Sequence, residues 1–240
     1  MFVPIRDENR LRSITYQYVT VGLIAINIAV FVGLQLPDLL QSDICGQMVV
    51  AKLFGVVPVE IFGTQATLDG CSAPSFAWIP EPLTLISYQF LHGDVLHLLG
   101  NMLFLWVFGD NVEDALGHVK FLIFYLLCGI AGGLAHVFMT ADPSAPLIGA
   151  SAAIAGVVAA YLVLHPNVSV WVLVFRFFPL KIRAFWVLGA WVLMNVAFAI
   201  LPVDPQVAWW AHVGGIVTGA LLVLVLRRRG VPLFDERTSA

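Results

Sequence analysis

"LIGASAAIAGVVAAYLVL", residues 147–164, carries no charged residue and is long and apolar enough to enter a bilayer. Ser151 sits near one end of it, inside a run of glycine and alanine. A hydroxyl at that depth calls for a physical reason, and the rest of the chain supplies one.

Of the 240 residues, 60% are hydrophobic and 11% charged. Soluble domains average about 25% charged residues. The fold class expected is therefore an all-α polytopic membrane protein. The net charge of −3 says nothing about nucleic acid, but no basic patch is interleaved with aromatics, so nucleic acid is not expected as a partner. The first apolar run lacks a small-residue cleavage site, so it reads as a span and not as a signal or transit peptide.

Six runs read as spans: Gln17–Leu36, His92–Gly109, Val119–Met139, Pro146–Leu164, Ala184–Leu201 and Val207–Leu226. The connection 37–91 is broken by Pro37, Pro58, Pro74, Pro80 and Pro82, and "MVVAKLFGVVPVEIF" within it is apolar enough to lie in the interface. "VSVWVLVFRFFPL" (168–180) is too short to span, contains Arg176 and Pro179, and reads as interfacial or re-entrant.

Basic residues concentrate on the inner side of membranes. With six spans and an inner N-terminus, the inner segments hold Arg6, Arg10, Arg12, Lys120, Arg176, Lys181, Arg183, Arg227, Arg228, Arg229 and Arg237, leaving only Lys52 outside. Residues 1–240 thus form one membrane-embedded domain, N-in and C-in. Its inner parts are the segment 1–16 and the tail 227–240, and its outer loop is 37–91. Trp209 and Trp210 fall at the outer interface.

On that topology Ser151, His212 and His97 each lie about five residues into a span entered from outside. At 1.5 Å per residue, all three sit ~7–8 Å below the outer boundary. Asn101 follows His97 by one turn, on the same face. Polar groups in spans face the bundle interior or water and are functional by default. Ala152 with Gly156, and Gly215 with Gly219, are spacings that let membrane helices approach closely. Span 4 is then expected against span 6, with Ser151 near His212.

Such a pair permits nucleophilic acyl transfer, with His212 as the general base for Ser151. His97, Asn101 and the Ser151 backbone N–H can supply donors to a developing oxyanion. No intramembrane carboxylate accompanies them, so a dyad is expected. The polar start of span 2, "HGDVLH", offers a path for water.

These residues resemble the rhomboid family of intramembrane serine proteases, most strongly across 88–226. The pattern H-x4-H-x3-N at His92, His97 and Asn101 is similar to the family's second helix. "GASAAIAG" resembles its G-x-S-G motif, with Gly149 and Ser151, and "AHVGGIVTG" its base-bearing helix, with His212. The resemblance implies a six-helix bundle and a serine endopeptidase of the bacterial six-span type; six spans and no targeting extension point to a bacterial plasma membrane rather than an organelle. Its implied partners are the bilayer and single-span or membrane-anchored protein substrates, cut near the outer end of their transmembrane segments. No cofactor and no metal are implied. Ser151 and His212 would be catalytic, with His97, Asn101, Gly149 and His92 as oxyanion or support residues, and Glu113 structural at the inner end of the second helix. The chain departs from the pattern at Ala152 (glycine in the motif) and Ala155 (aromatic in some members), and the Trp-Arg motif of some first loops is absent.

Other readings stand beside this one. A catalytically inactive rhomboid-like protein would bind membrane clients without cutting them. Ser151 alone could be a packing residue bonded to a backbone carbonyl. His118, His136 and His165 fall at span ends and read as interfacial, while Tyr125 and Tyr161 read as packing aromatics with a satisfied hydroxyl. No H-E-x-x-H string supports a zinc protease, and the polar level is too near one face for a midplane transport site. In an oxidising exterior Cys45 and Cys71 can close a loop of about 25 residues, worth ~3 kcal/mol; two free thiols are the alternative.

Overall fold

A computed structural model of the chain describes residues 3–64, 71, 79–174, 178–201 and 207–234. Pro74, Arg176 and Arg237 lie outside the described residues. Strand β1 (Val3–Asp7) leads to α1 (Tyr18–Val30), which continues through a π-helical stretch, Phe31–Gln35, into α2 (Leu36–Leu40). The outer connection holds α3 (Ile44–Phe54), α4 (Pro58–Ile61) and α5 (Glu81–Ser87). The remaining helices are α6 (Val95–Leu116), α7 (His118–Met139), α8 (Ser151–Leu164), α9 (Ala184–Ile200) and α10 (Trp209–Leu226), with β2 (Ser169–Val174) and β3 (Phe178–Arg183) between α8 and α9.

Tyr18–Leu40, α6, α7 and α10 are each long and apolar enough to cross a membrane, while α8 and α9 are apolar but shorter. The central helix is α8, buried without a break from Ala152 to Tyr161. A helix apolar on every face belongs inside a bundle. It packs on α10 through main-chain contact. A Cβ added at Gly215 would lie 1.9 Å from the Ala152 carbonyl oxygen, and one at Gly219 would lie 2.3 Å from that of Gly156. A Cβ at Gly156 would in turn meet the Gly215 oxygen at 3.0 Å and Cys128 Sγ at 2.5 Å.

Two features differ from the sequence reading. The chain is not all-α: β1, β2 and β3 form an antiparallel sheet in that order, pairing Pro4 with Val172 and Val170 with Ile182. The strand signal lay in 168–172, where Val168, Val170 and Val172 are buried and alternate with Ser169 and Trp171. Second, the helix expected over Pro146–Leu164 begins only at Ser151. Leu147 instead pairs with Val56 in both directions, at 2.8 and 3.0 Å, and the Gly149 N–H donates to the Tyr88 carbonyl at 2.9 Å. Ser151 therefore opens its helix and does not sit a turn inside it. Likewise α6 starts at Val95, not at His92, because Asp94 caps it by accepting from the His97 N–H at 2.8 Å.

Two adjacent carboxylates at the far end of α6 tie down the N-terminal segment. Glu113, fully buried, accepts from the N–H groups of Val19 and Thr20 at 3.0 and 2.8 Å and from the Thr20 hydroxyl at 2.7 Å, and it pairs with His118. Asp114 accepts from the N–H groups of Arg12, Ser13 and Ile14 at 2.9, 2.7 and 2.7 Å. Burying a carboxylate costs several kcal/mol, and hydrogen bonds to a charged acceptor return about 1.5–3 kcal/mol each. Three such bonds and an imidazole offset the burial of Glu113. In the connection before α6, Cys45 and Cys71 are bonded, with Cα atoms 5.4 Å apart, and Lys52 pairs with Glu60 at 3.4 Å.

Gly219→Ala is expected to destabilise the fold by about 1–3 kcal/mol, the usual cost of overpacking, because the obstructing atoms are backbone. Gly189→Ala on α9, with nothing within 4 Å of the added Cβ, should leave the midpoint unchanged or raise it. Thermal unfolding in detergent micelles checks the pair; equal midpoints would mean the seam opens without cost.

Candidate active site

Ser151 is the first residue of α8 and His212 the fourth of α10, so the close seam between those helices brings their side chains together. His212 Nε2 lies 2.9 Å from Ser151 Oγ. The imidazole is bounded by Trp191, near-parallel at 26° and 6.5 Å, and by Trp209, edge-on at 89° and 5.8 Å. Its other nitrogen, Nδ1, lies 2.7 Å from Asn195 Oδ1 on α9.

Gly149 turns the chain into α8 with φ of +127°, a conformation that side chains resist. A Cβ there would fall 2.9 Å from both Cε1 and Nε2 of His97 and 3.7 Å from Ser151 Oγ. The His97 ring thus faces Ser151 across a gap that only glycine leaves open. The N-cap residue of α8, Ala150, offers no side-chain hydrogen bond, and the helix's first-turn N–H groups have no acceptor within it. That end of α8 is favourable to negative charge.

Asn101 is buried one turn below His97, and its Nδ2 has no hydrogen-bond partner among the described residues. An unpaired buried donor costs about 1–3 kcal/mol. His92 stands behind His97, with rings edge-to-face at 5.1 Å, and its ring nitrogens have no hydrogen-bond partner among the described residues. Its main chain is gripped by Gln35, whose amide donates to the His92 carbonyl at 2.7 Å and accepts from the His92 N–H at 2.9 Å.

Ser151, His212, His97 and Gly149 therefore share one locus, with Asn101 below it and His92 behind. Asn195, Trp191 and Gln35 were missed. For Asn195 the signal was present as a lone amide in "WVLMNVAF", since polar groups in apolar helices face the interior. Away from this locus, the Tyr161 hydroxyl is satisfied as expected, donating to Asp7 at 2.6 Å.

Residues 80–229 match the family model of the Rhomboid domain, and the chain belongs to the rhomboid family. It is 31% identical over 164 residues to RHOMBOID-like protein 4 of Arabidopsis thaliana, covering 68% of this chain and 39% of that protein. It is 28% identical over 218 residues to RHOMBOID-like protein 2 of the same organism, covering 85% and 65%. Rhomboid protease GluP of Bacillus subtilis (strain 168) is 32% identical over 147 residues, covering 61% and 26%. The chain thus spans less than two thirds of the length of each. Family and helices together make it an integral membrane protein.

Gly149→Ala combines a left-handed backbone, worth about 1–3 kcal/mol for a side-chain-bearing residue, with a clash on His97. It is expected to lower the unfolding midpoint and shift the His97 ring resonances. Gly93→Ala, whose added Cβ would meet only Ile148 Cδ1 at 3.9 Å, should change neither. Unmoved His97 resonances in Gly149→Ala would show that the gap has slack.

Proposed function

We propose that this protein is an intramembrane serine endopeptidase that cuts membrane-anchored proteins in or near the outer ends of their transmembrane segments. One observation carries the reading: the 2.9 Å contact between Ser151 Oγ and His212 Nε2, at the opening of a helix whose N-cap residue offers no side-chain hydrogen bond. The name of the Bacillus subtilis relative, Rhomboid protease GluP, agrees with it.

In this mechanism Ser151 Oγ attacks the scissile carbonyl carbon while its proton passes to His212 Nε2. The resulting oxyanion is stabilised by the N–H groups opening α8, by Asn101 Nδ2 and by His97. Gly149 leaves room for it, and His92 supports the His97 ring. Collapse breaks the C–N bond, and the imidazolium returns its proton to the leaving amine. Water then attacks the acyl-serine ester, again losing its proton to His212, and the acid product leaves with Ser151 regenerated. The chemistry asks for no cofactor and no metal. Asn101 fits the donor role because its amide nitrogen is already buried and unpartnered among the described residues: the cost is carried in the resting protein, and the charge of the transition state repays it.

The arrangement extends to a single six-span domain over 1–240, N-in and C-in, in a bacterial plasma membrane, with 1–16 and 227–240 inside and 37–91 outside. Tyr18–Leu40 and α6 to α10 are the six spans. The openings of α6, α8 and α10 then share the outer side, and so do His97, Ser151 and His212.

Ser151→Ala and His212→Ala should each abolish cleavage of a single-span test substrate, and Ser151→Ala should also abolish labelling by a fluorophosphonate. His97→Ala and Asn101→Ala should lower kcat by about 10²–10³ each with slow labelling retained. Undiminished cleavage by Ser151→Ala would sink the serine mechanism and favour a client-binding role.

Topology has its own test. A reporter fused after Asp142 should read outside, and one after Lys181 inside. An outside reading at Lys181 would overturn the six-span arrangement.

A further inference from the structure

We propose that Asn195 is the positioning residue of His212, holding the ring in the tautomer that leaves Nε2 free to take the Ser151 proton. This rests on the dyad reading above and adds a third member from a third helix, where the sequence led to the expectation of two.

Asn195 is 1% exposed, in the middle of α9. Its Nδ2 donates to the Trp191 carbonyl one turn earlier at 2.8 Å. That bond decides which way the amide faces. Turned over, it would set its oxygen against the Trp191 carbonyl oxygen and aim its N–H groups at the imidazole. With Nδ2 committed to Trp191, Oδ1 is the atom that meets His212 Nδ1, at 2.7 Å.

An amide oxygen only accepts, so His212 Nδ1 must carry the hydrogen. In a neutral imidazole the other nitrogen is then bare. That nitrogen is Nε2, the one 2.9 Å from Ser151 Oγ. The proton order is therefore set from outside the dyad: the Trp191 carbonyl orients Asn195, Asn195 selects the tautomer, and the tautomer makes the serine hydroxyl the donor. Trp191 also stacks on the ring, so two residues one turn apart on α9 fix both its plane and its protonation. Asn27 in α1 makes the same backward bond, to Leu23 at 2.8 Å; Asn195 differs in that its oxygen meets an imidazole.

A neutral amide suits this location. A carboxylate there would be a desolvated charge needing a partner of its own, whereas an amide accepts one bond, donates one and brings no net charge. The group touches neither substrate nor reacting atoms, so its effect passes entirely through His212.

The test uses the full-length protein in micelles. Histidine ¹⁵N spectra should show His212 with Nδ1 protonated and Nε2 bare, and Asn195→Leu should lose that preference. The same variant should lower kcat by about 10–100-fold with KM unchanged, and slow fluorophosphonate labelling in step. Asn195→Asp, similar in shape, should restore most of the kcat at high pH and move the acid limb of the rate profile upward. The reason is that a carboxylate beside Nδ1–H favours the imidazolium, so the base is lost at a higher pH.

A packing role would lower the unfolding midpoint and leave the tautomer and the acid limb unmoved. Either of those two results overturns the proposal. If Asn195→Leu does not fold, Asn195→Asp decides by the acid limb alone. The tautomer spectrum needs no turnover and can be taken in Ser151→Ala, so it reads Asn195 even where the cleavage reading fails.

Discussion

The contact between the main chains of α8 and α10 is the constraint on which the rest of the structure depends. In lipid no hydrophobic force draws one apolar helix to another, and association relies on packing and backbone approach. Gly215 and Gly219 bring α10 onto the Ala152 and Gly156 carbonyls so closely that no side chain fits between. A separation fixed by backbone atoms cannot be adjusted by changing rotamers. The spacing of Ser151 and His212 is therefore inherited from a rigid seam that begins at the residue after Ser151 and runs down both helices, not from the two side chains. Since α8 is buried on every face, its first residue is as well anchored as any in the bundle.

Around that fixed pair, the other polar groups are held largely by backbone groups. Asp94 caps α6 and so sets the start of the helix that carries His97 and Asn101. Gln35, at the end of the π-helical stretch, takes both main-chain groups of His92, which steadies the loop just before that cap. π-helical turns inside helices often accompany functional sites, and here the irregular turn delivers one amide to both main-chain groups of one residue. The His92 ring nitrogens and Asn101 Nδ2 are exceptions, buried and unpaired among the described residues, and Asn101 lies at the level where negative charge would develop.

Much of this was legible in the sequence. The long apolar runs for α1, α6, α7 and α10, the serine and histidines near one end, and the small-residue spacings all point the same way. The opening of α8 was not legible, because 146–150 is as apolar as a helix. In a membrane protein, irregular backbone is tolerated where protein covers it, and here Val56 and Tyr88 supply the pairing from distant parts of the chain. The sheet was hidden for a different reason. The alternation at Val168, Val170 and Val172 was present, but one of its two pairing partners, β1, lies more than a hundred residues away, and the other, β3, shows no burial alternation of its own. Asn195 escaped because one amide in an apolar helix has no period, and its meaning comes only from the imidazole that α10 brings to it.

The hold that Glu113 and Asp114 exert on the N-terminal segment has an implication for variation. Apart from the Thr20 hydroxyl and His118, the groups they bind are peptide N–H groups, at Arg12, Ser13, Ile14, Val19 and Thr20. Every amino acid but one offers such a group. The segment's path is consequently insulated from most changes in its own side chains, and the specificity resides almost wholly in the two acids that receive it. Proline is the residue this grip excludes. At any of those five positions it would remove the hydrogen the carboxylate needs while leaving the charge in place, so a drifting leader keeps its course unless its imino acids land on the clasp.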